Sequence, residues 1–140
     1  MNSPVANTLM AALPVALRKV MKTVTKYTDN VAGSTGDTQS NITSSVDYLF
    51  LPAEFEVYGG TRTYANNYER NYLAQYDYFK AGNSKQLYKH DARTTAVWAP
   101  LRSPYYNTNN YFSAVGSGSG GSVGYYVAYS CGGLFAGFTT

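Results

Sequence analysis

The sequence predicts an α+β domain: an N-terminal helix, a short second helix and a C-terminal antiparallel sheet, with much irregular loop between them. Three observations carry that reading. Near the start, Leu13, Leu17, Val20, Met21 and Val24 recur at three- and four-residue steps. Short β-rich runs parted by glycine fill the end, in YFSAV, SVGYYVAYS and LFAGFTT. At 140 residues the chain is one domain, 1–140, with room for a single core.

Each element has its own local cause. Pro14 suits the first position of the opening helix, and a short helical turn around ANTLMAAL precedes it. Arg18, Lys22 and Lys26 form a basic row on another side of that helix. A helix packed on its own domain, with the row in water, accounts for it better than a membrane-binding helix. Residues 1–28 are thus the N-terminal helical segment. TDNVAGSTGDTQSNITSS, residues 28–45, reads as a polar loop. Its glycosylation triplet, Asn41-Ile42-Thr43, has no export signal to support it.

DYLFL, residues 47–51, then reads as a buried strand ended by Pro52. PAEFEVYG opens a short helix that Gly59 and Gly60 stop. Tyr64, Tyr68 and Tyr72 recur every four residues, a stripe expected to face the core at helical spacing. A polar connection leads to a strand through TAVWAPL. GSGSGGS, residues 116–122, reads as a flexible hairpin loop.

Composition narrows function. Charged residues make up 14 % of the chain, against about a quarter in ordinary domains. Fifteen Tyr, six Phe and one Trp take their place. Tyr joins a large apolar ring to a polar tip, which suits surfaces both wet and adhesive. The net charge of +3 comes without basic residues interleaved with aromatics, so no nucleic-acid partner is expected. No apolar run is long enough for membrane insertion, and the start lacks the pattern of a classical signal peptide.

Catalytic and metal chemistry find little footing. A single cysteine, Cys131, offers no disulfide framework and no multi-thiolate metal site. It lacks a neighbouring base and reads as an inert small residue. His90 beside Asp91 lacks an evident nucleophile. Glu54 and Glu56 diverge on a helix but share one side of a strand. No cluster has metal-ligand spacing, and no phosphate-binding glycine motif is present. No enzyme activity, metal or cofactor is expected. Arg102, placed where a strand leaves the core, is read as structural, tying loop carbonyls or a buried carboxylate, with Glu54 or Glu56 as its partner.

Trp98, Leu101-Arg102-Ser103-Pro104, Phe112, Val115, Gly133 and the closing Gly137-Phe138 resemble the "WWLRSP … GF" pattern of a large bacterial and phage family with a C-type lectin-like fold. DYLFLPAEFEVYG and QYDYFK fit the same family, so the likeness spans roughly Leu13 to Phe138. Two departures stand out: Ala99-Pro100 replaces the second Trp, and the glycine loop is long. The resemblance implies a C-type lectin-like fold in which Trp98, Arg102, Phe112, Gly137 and Phe138 are scaffold.

Some members of that family are variable proteins of diversity-generating retroelements, in which adenine-directed copying rewrites exposed positions. By that likeness, 103–138 is the candidate display region. Gly124, Tyr125, Tyr126, Val127, Tyr129, Ser130 and Gly132 fall at variable places, between the scaffold residues Val123, Ala128 and Gly133. Cys131 takes a Ser-like place. Tyr105, Tyr106, Asn107, Asn109 and Asn110 form a second patch.

Nothing charged follows Arg102, and Tyr, Ser, Gly and Asn are the residues that antibody loops use for rigid contact and adaptable hydrogen bonds. The expectation is a hypervariable ligand-binding protein that recognises a protein or glycan receptor on a cell surface. It would act as a phage receptor-binding protein on the virion tail or as an adhesin on the bacterial surface, and relatives of this kind are often trimeric. The competing readings are a relative of the formylglycine-generating oxidoreductases and a calcium-dependent carbohydrate-binding lectin.

Overall fold

Proline, glycine and β-branched residues punctuate this chain often enough that no helix or strand among the described residues exceeds six residues. The computed structural model describes residues 8–31, 36–60, 63–118, 120–130 and 132–140. Among these the fold is a small mixed α+β domain with four short helices and antiparallel sheets. In chain order they are α1 (Leu9–Ala12), α2 (Val15–Val20), β1 (Val24–Asp29), β2 (Ile42–Asp47), α3 (Glu54–Tyr58) and α4 (Asp77–Lys80). Strands β3 (Leu87–Tyr88), β4 (Ala96–Val97), β5 (Ala99–Pro104), β6 (Tyr111–Val115) and β7 (Val123–Val127) follow. No helix among the described residues is long and apolar enough to cross a membrane.

The N-terminal half departs most from expectation. Pro14 caps α2 with φ −54°, but the helix ends at Val20 rather than running on through Lys26. Val24, Thr25 and Thr28 favour extended backbone, and β1 pairs antiparallel with β2 from Val24↔Asp47 to Asp29↔Ile42. Both ends of the stretch 28–45 are therefore strand, Thr28 and Asp29 in β1 and Ile42 to Ser45 in β2. Lys26 is not in water: only 7 % of it is exposed. DYLFL forms no strand of its own either: Asp47 ends β2 and Phe50 makes an isolated bridge to Gly137. Lys22 bridges Thr139, so LFAGFTT closes on the N-terminal half instead of forming a hairpin.

The tyrosine stripe is not a helix. Asn66 caps a 3-10 turn at Asn67–Asn71, its side chain accepting from the Tyr68 N–H at 3.0 Å. That turn splits the stripe. Tyr72 stacks on Tyr27 at 4.5 Å, and Tyr64 points elsewhere.

Sheet β5–β6–β7 carries the core. Val57, Phe79, Leu101 and Val115 are buried together, with Tyr58, Tyr76, Leu87 and Phe135 packed around them. β5 holds Pro100 and Pro104 because it is an edge strand, where a missing N–H costs least. Its register with β6 shifts between those prolines. Such an irregularity re-aims a side chain, and here the Arg102 N–H leaves the ladder to donate to the Pro52 carbonyl at 2.8 Å. The glycine loop before β7 is held at Gly121. Gly121 is buried at φ +69°, and a Cβ there would run into the Lys85–Gln86 peptide. The Tyr58 hydroxyl donates to the Gly121 carbonyl at 2.7 Å.

Candidate ligand-binding face

Alternation along β7 decides what each tail residue can do. β6 and β7 pair in register, with Ser113 opposite Tyr125 and Phe112 opposite Tyr126. Tyr125 therefore lies on one side of the sheet and Tyr126 on the other.

The Tyr125 ring meets three others. Its centroid lies 4.9 Å from Tyr64, 5.3 Å from Tyr105 and 5.3 Å from Tyr111, and Tyr105 reaches Tyr106 at 5.6 Å. These are tilted and edge-to-face contacts, the favourable geometries for aromatic pairs. Tyr125 is 46 % exposed; Asn107, Asn109 and Asn110 are exposed, as is Tyr129 at 87 %. Ser130 and Val127 are half-buried, joined by the Ser130 N–H donating to the Val127 carbonyl at 3.0 Å. Of the expected display positions, Tyr105 and Tyr106 thus gather at Tyr125, next to the segment that carries the exposed Asp37, since the Gly36 N–H donates to the Tyr106 carbonyl.

Three expected positions, Tyr126, Gly132 and Gly124, do not join this cluster. Tyr126 stacks on Trp98 at 4.0 Å with the rings 9° from parallel. A Cβ on Gly132 would come within 2.8 Å of the Trp98 ring. Both are packing residues, and neither can be exchanged freely. Gly124 shares the Tyr126 side, where a Cβ would meet only that ring, at 3.7 Å. Among the expected anchors, Gly137 fits its role, since a Cβ would come within 2.6 Å of Phe50. Phe112 is half-buried, but Phe138 is 44 % exposed and anchors no core. Cys131 lies outside the described residues.

Beneath the tyrosines lies a layer of buried carboxylates that spacing alone leaves ambiguous. On α3, Glu54 and Glu56 diverge. Glu54 accepts the N–H groups of Thr63, Tyr64 and Ala65 and, at 2.6 Å, the Ser113 hydroxyl. It therefore binds the loop carrying Tyr64 to the middle of β6. Its own N–H donates to the Ser103 hydroxyl, which donates onward to Glu69 at 2.6 Å. Glu69 also accepts the Asp29 N–H. Burial pushes the Glu69 carboxyl up to about 7, against the opposing pull of Ser103, the Asp29 N–H and Arg102. Asp29 is raised too, first by its own burial. Burial also raises the Tyr64 hydroxyl, with Tyr125, Tyr105 and Glu54 adding to the effect.

Glu56 faces the other way. Its Oε1 lies 2.7 Å from Lys26 Nζ and its Oε2 3.1 Å from Arg102 Nη2. Arg102 also donates to the carbonyls of Tyr27 and Leu51. Of the two candidate carboxylates, Glu56 is the one that Arg102 pairs with.

A separate cleft of about 610 Å³ opens beside Trp98, with His90 and Asp91 at its rim. Among the described residues, no group of three His, Cys, Asp or Glu side chains is placed to hold a metal ion. Sequence reasoning missed Tyr64, Tyr111 and Ser113. The one signal available was that Tyr64 begins the stripe whose later members lead elsewhere.

A family model described as a domain of unknown function (DUF6273) matches residues 1–132. No curated protein and no solved structure matches the chain.

Proposed function

We propose that this chain, which belongs to the DUF6273 family, is a non-enzymatic display domain that binds a protein or glycan receptor through its tyrosine face. The observation that carries the reading is that Tyr105, Tyr106, Tyr111 and Tyr125, all from the part of the chain without charges, cluster together while the Glu54 carboxylate is buried beside them. Tail positions without charge escape the heavy desolvation and strong repulsion that fixed charges bring against varied partners. Its rings are already oriented by one another, so binding orders little that is not ordered before contact.

In this reading the scaffold is a C-type lectin-like fold, and the exchangeable positions centre on Tyr105, Asn107, Asn109, Asn110, Tyr125 and Tyr129. Variation at those positions by a diversity-generating retroelement fits their exposure. A role at a phage tail or on a bacterial surface is what the resemblance of the Leu101-Arg102-Ser103-Pro104 and Gly137-Phe138 pattern implies. A homotrimer suits it, because several weak contacts on one particle act together.

The test is binding to intact cells across a panel of bacterial strains. Tyr105→Ala with Tyr125→Ala should abolish binding, since each hot-spot aromatic contributes about 2 kcal/mol or more, while Tm shifts by only a few degrees. Retained binding in the double variant would refute the reading. A reverse transcriptase gene nearby, with a near-copy of the 3′ end differing at adenines, would establish the retroelement.

A further inference from the structure

We infer that Tyr64, which lies outside the uncharged tail, is a fixed anchor of the binding face, and that Glu54 is the positioning residue that holds it there. The inference rests on the display reading above. A surface whose tail positions are exchanged keeps its baseline affinity only if some contact residue stays constant. Tyr64 is placed for that. Its ring touches Tyr105 at 5.3 Å and Tyr125 at 4.9 Å.

Three ties immobilise it. Its N–H donates to Glu54, and so do the N–H groups on either side. Its carbonyl accepts the Tyr106 N–H at 2.8 Å. Ser113 fixes the same carboxylate to β6. A carboxylate that accepts converging backbone donors holds a loop more firmly than neutral acceptors do. The partner this suits is a protein surface, against which a rigid ring loses little freedom.

The experiment displays the full chain on phage with Asn107, Asn109, Asn110, Val127 and Ser130 randomised, and selects against hen lysozyme as a model protein. Tyrosine nitration with and without saturating lysozyme then reads which rings are covered. Selected clones should protect Tyr64 and Tyr125 together, and Tyr64→Ala should weaken binding at least tenfold. Glu54→Gln should leave Tyr125 protected but Tyr64 reactive, which a general loss of stability would not produce. Clones that bind with Tyr64 equally reactive in both conditions would overturn the anchor and leave the display reading intact. A library that yields no binders would overturn the display reading and the anchor with it. Protection in the unaltered clones decides the matter even if a variant fails to fold.

Discussion

Tyr125 and Tyr126 are chain neighbours on one strand, yet the two sides of the sheet put them to different use. Tyr125 joins an open cluster of tyrosines above the buried Glu54. Tyr126 lies flat on Trp98, whose ring Gly132 also approaches closely enough to exclude any side chain there. The two residues are of the same type. What differs is whether a second layer covers the ring. Residue type therefore assigns no role in this tail, whereas strand alternation does.

The largest effect should come from beneath both sides. Glu56→Ala removes the one carboxylate shared by Lys26 and Arg102 and strands two buried cations. Such a loss costs about 3–5 kcal/mol, measured by chemical denaturation, and exceeds anything expected on the display side. An effect below about 1 kcal/mol would mean that the ion pairs are solvated.

Next comes pH, which separates the buried layer from the tyrosine surface. Glu69 keeps its proton in the fold up to about pH 7, while an unfolded glutamate loses it near 4.5. The folded state therefore binds more protons over that interval. Its contribution to stability is complete below pH 4.5 and disappears as pH rises through about 7. Between pH 5 and 8 the unfolding free energy should fall, by on the order of 3 kcal/mol at most. Glu69→Gln should flatten that slope, and a flat profile in the unaltered chain would show that Glu69 ionises normally.

Smaller effects test the two tyrosines directly. Tyr126→Ala should cost about 2 kcal/mol through lost stacking and burial, whereas Tyr125→Ala should cost less than about 1 kcal/mol and act on binding. Reversed values would place Tyr125 in the core. Smallest of all, Asn107→Ser and Asn109→Ser should stay within about 0.5 kcal/mol of the unaltered chain, as exposed positions do.

Legibility followed how locally each element is determined. α3 and strand YFSAV were readable because Pro52, Gly59 and β-rich residues fix them within a few positions. Gly59 stops α3 at φ +61°. The β1–β2 hairpin was hidden because ITSSVD is nearly as polar as a loop and four of its six residues are exposed. Val24 happened to continue the helical spacing of Leu13, Leu17 and Val20. Lys26 looked like a solvated charge because its partner Glu56 lies thirty residues away.

The site was half legible. The uncharged tail pointed to a surface, but sequence cannot number the strand from its true edge, so Tyr126 and Gly132 were grouped with Tyr125. Tyr64 was lost to a period of four that Asn66 and Asn67 interrupt.

The clamp on Gly121 acts as a ruler for the strand that follows. Because that glycine is locked against Lys85–Gln86 and Tyr58, the count of residues from it to Tyr125 sets which tyrosine meets the solvent. Deleting a single residue between them would exchange the two rings' sides. Natural length changes should therefore be tolerated before the clamp and forbidden after it.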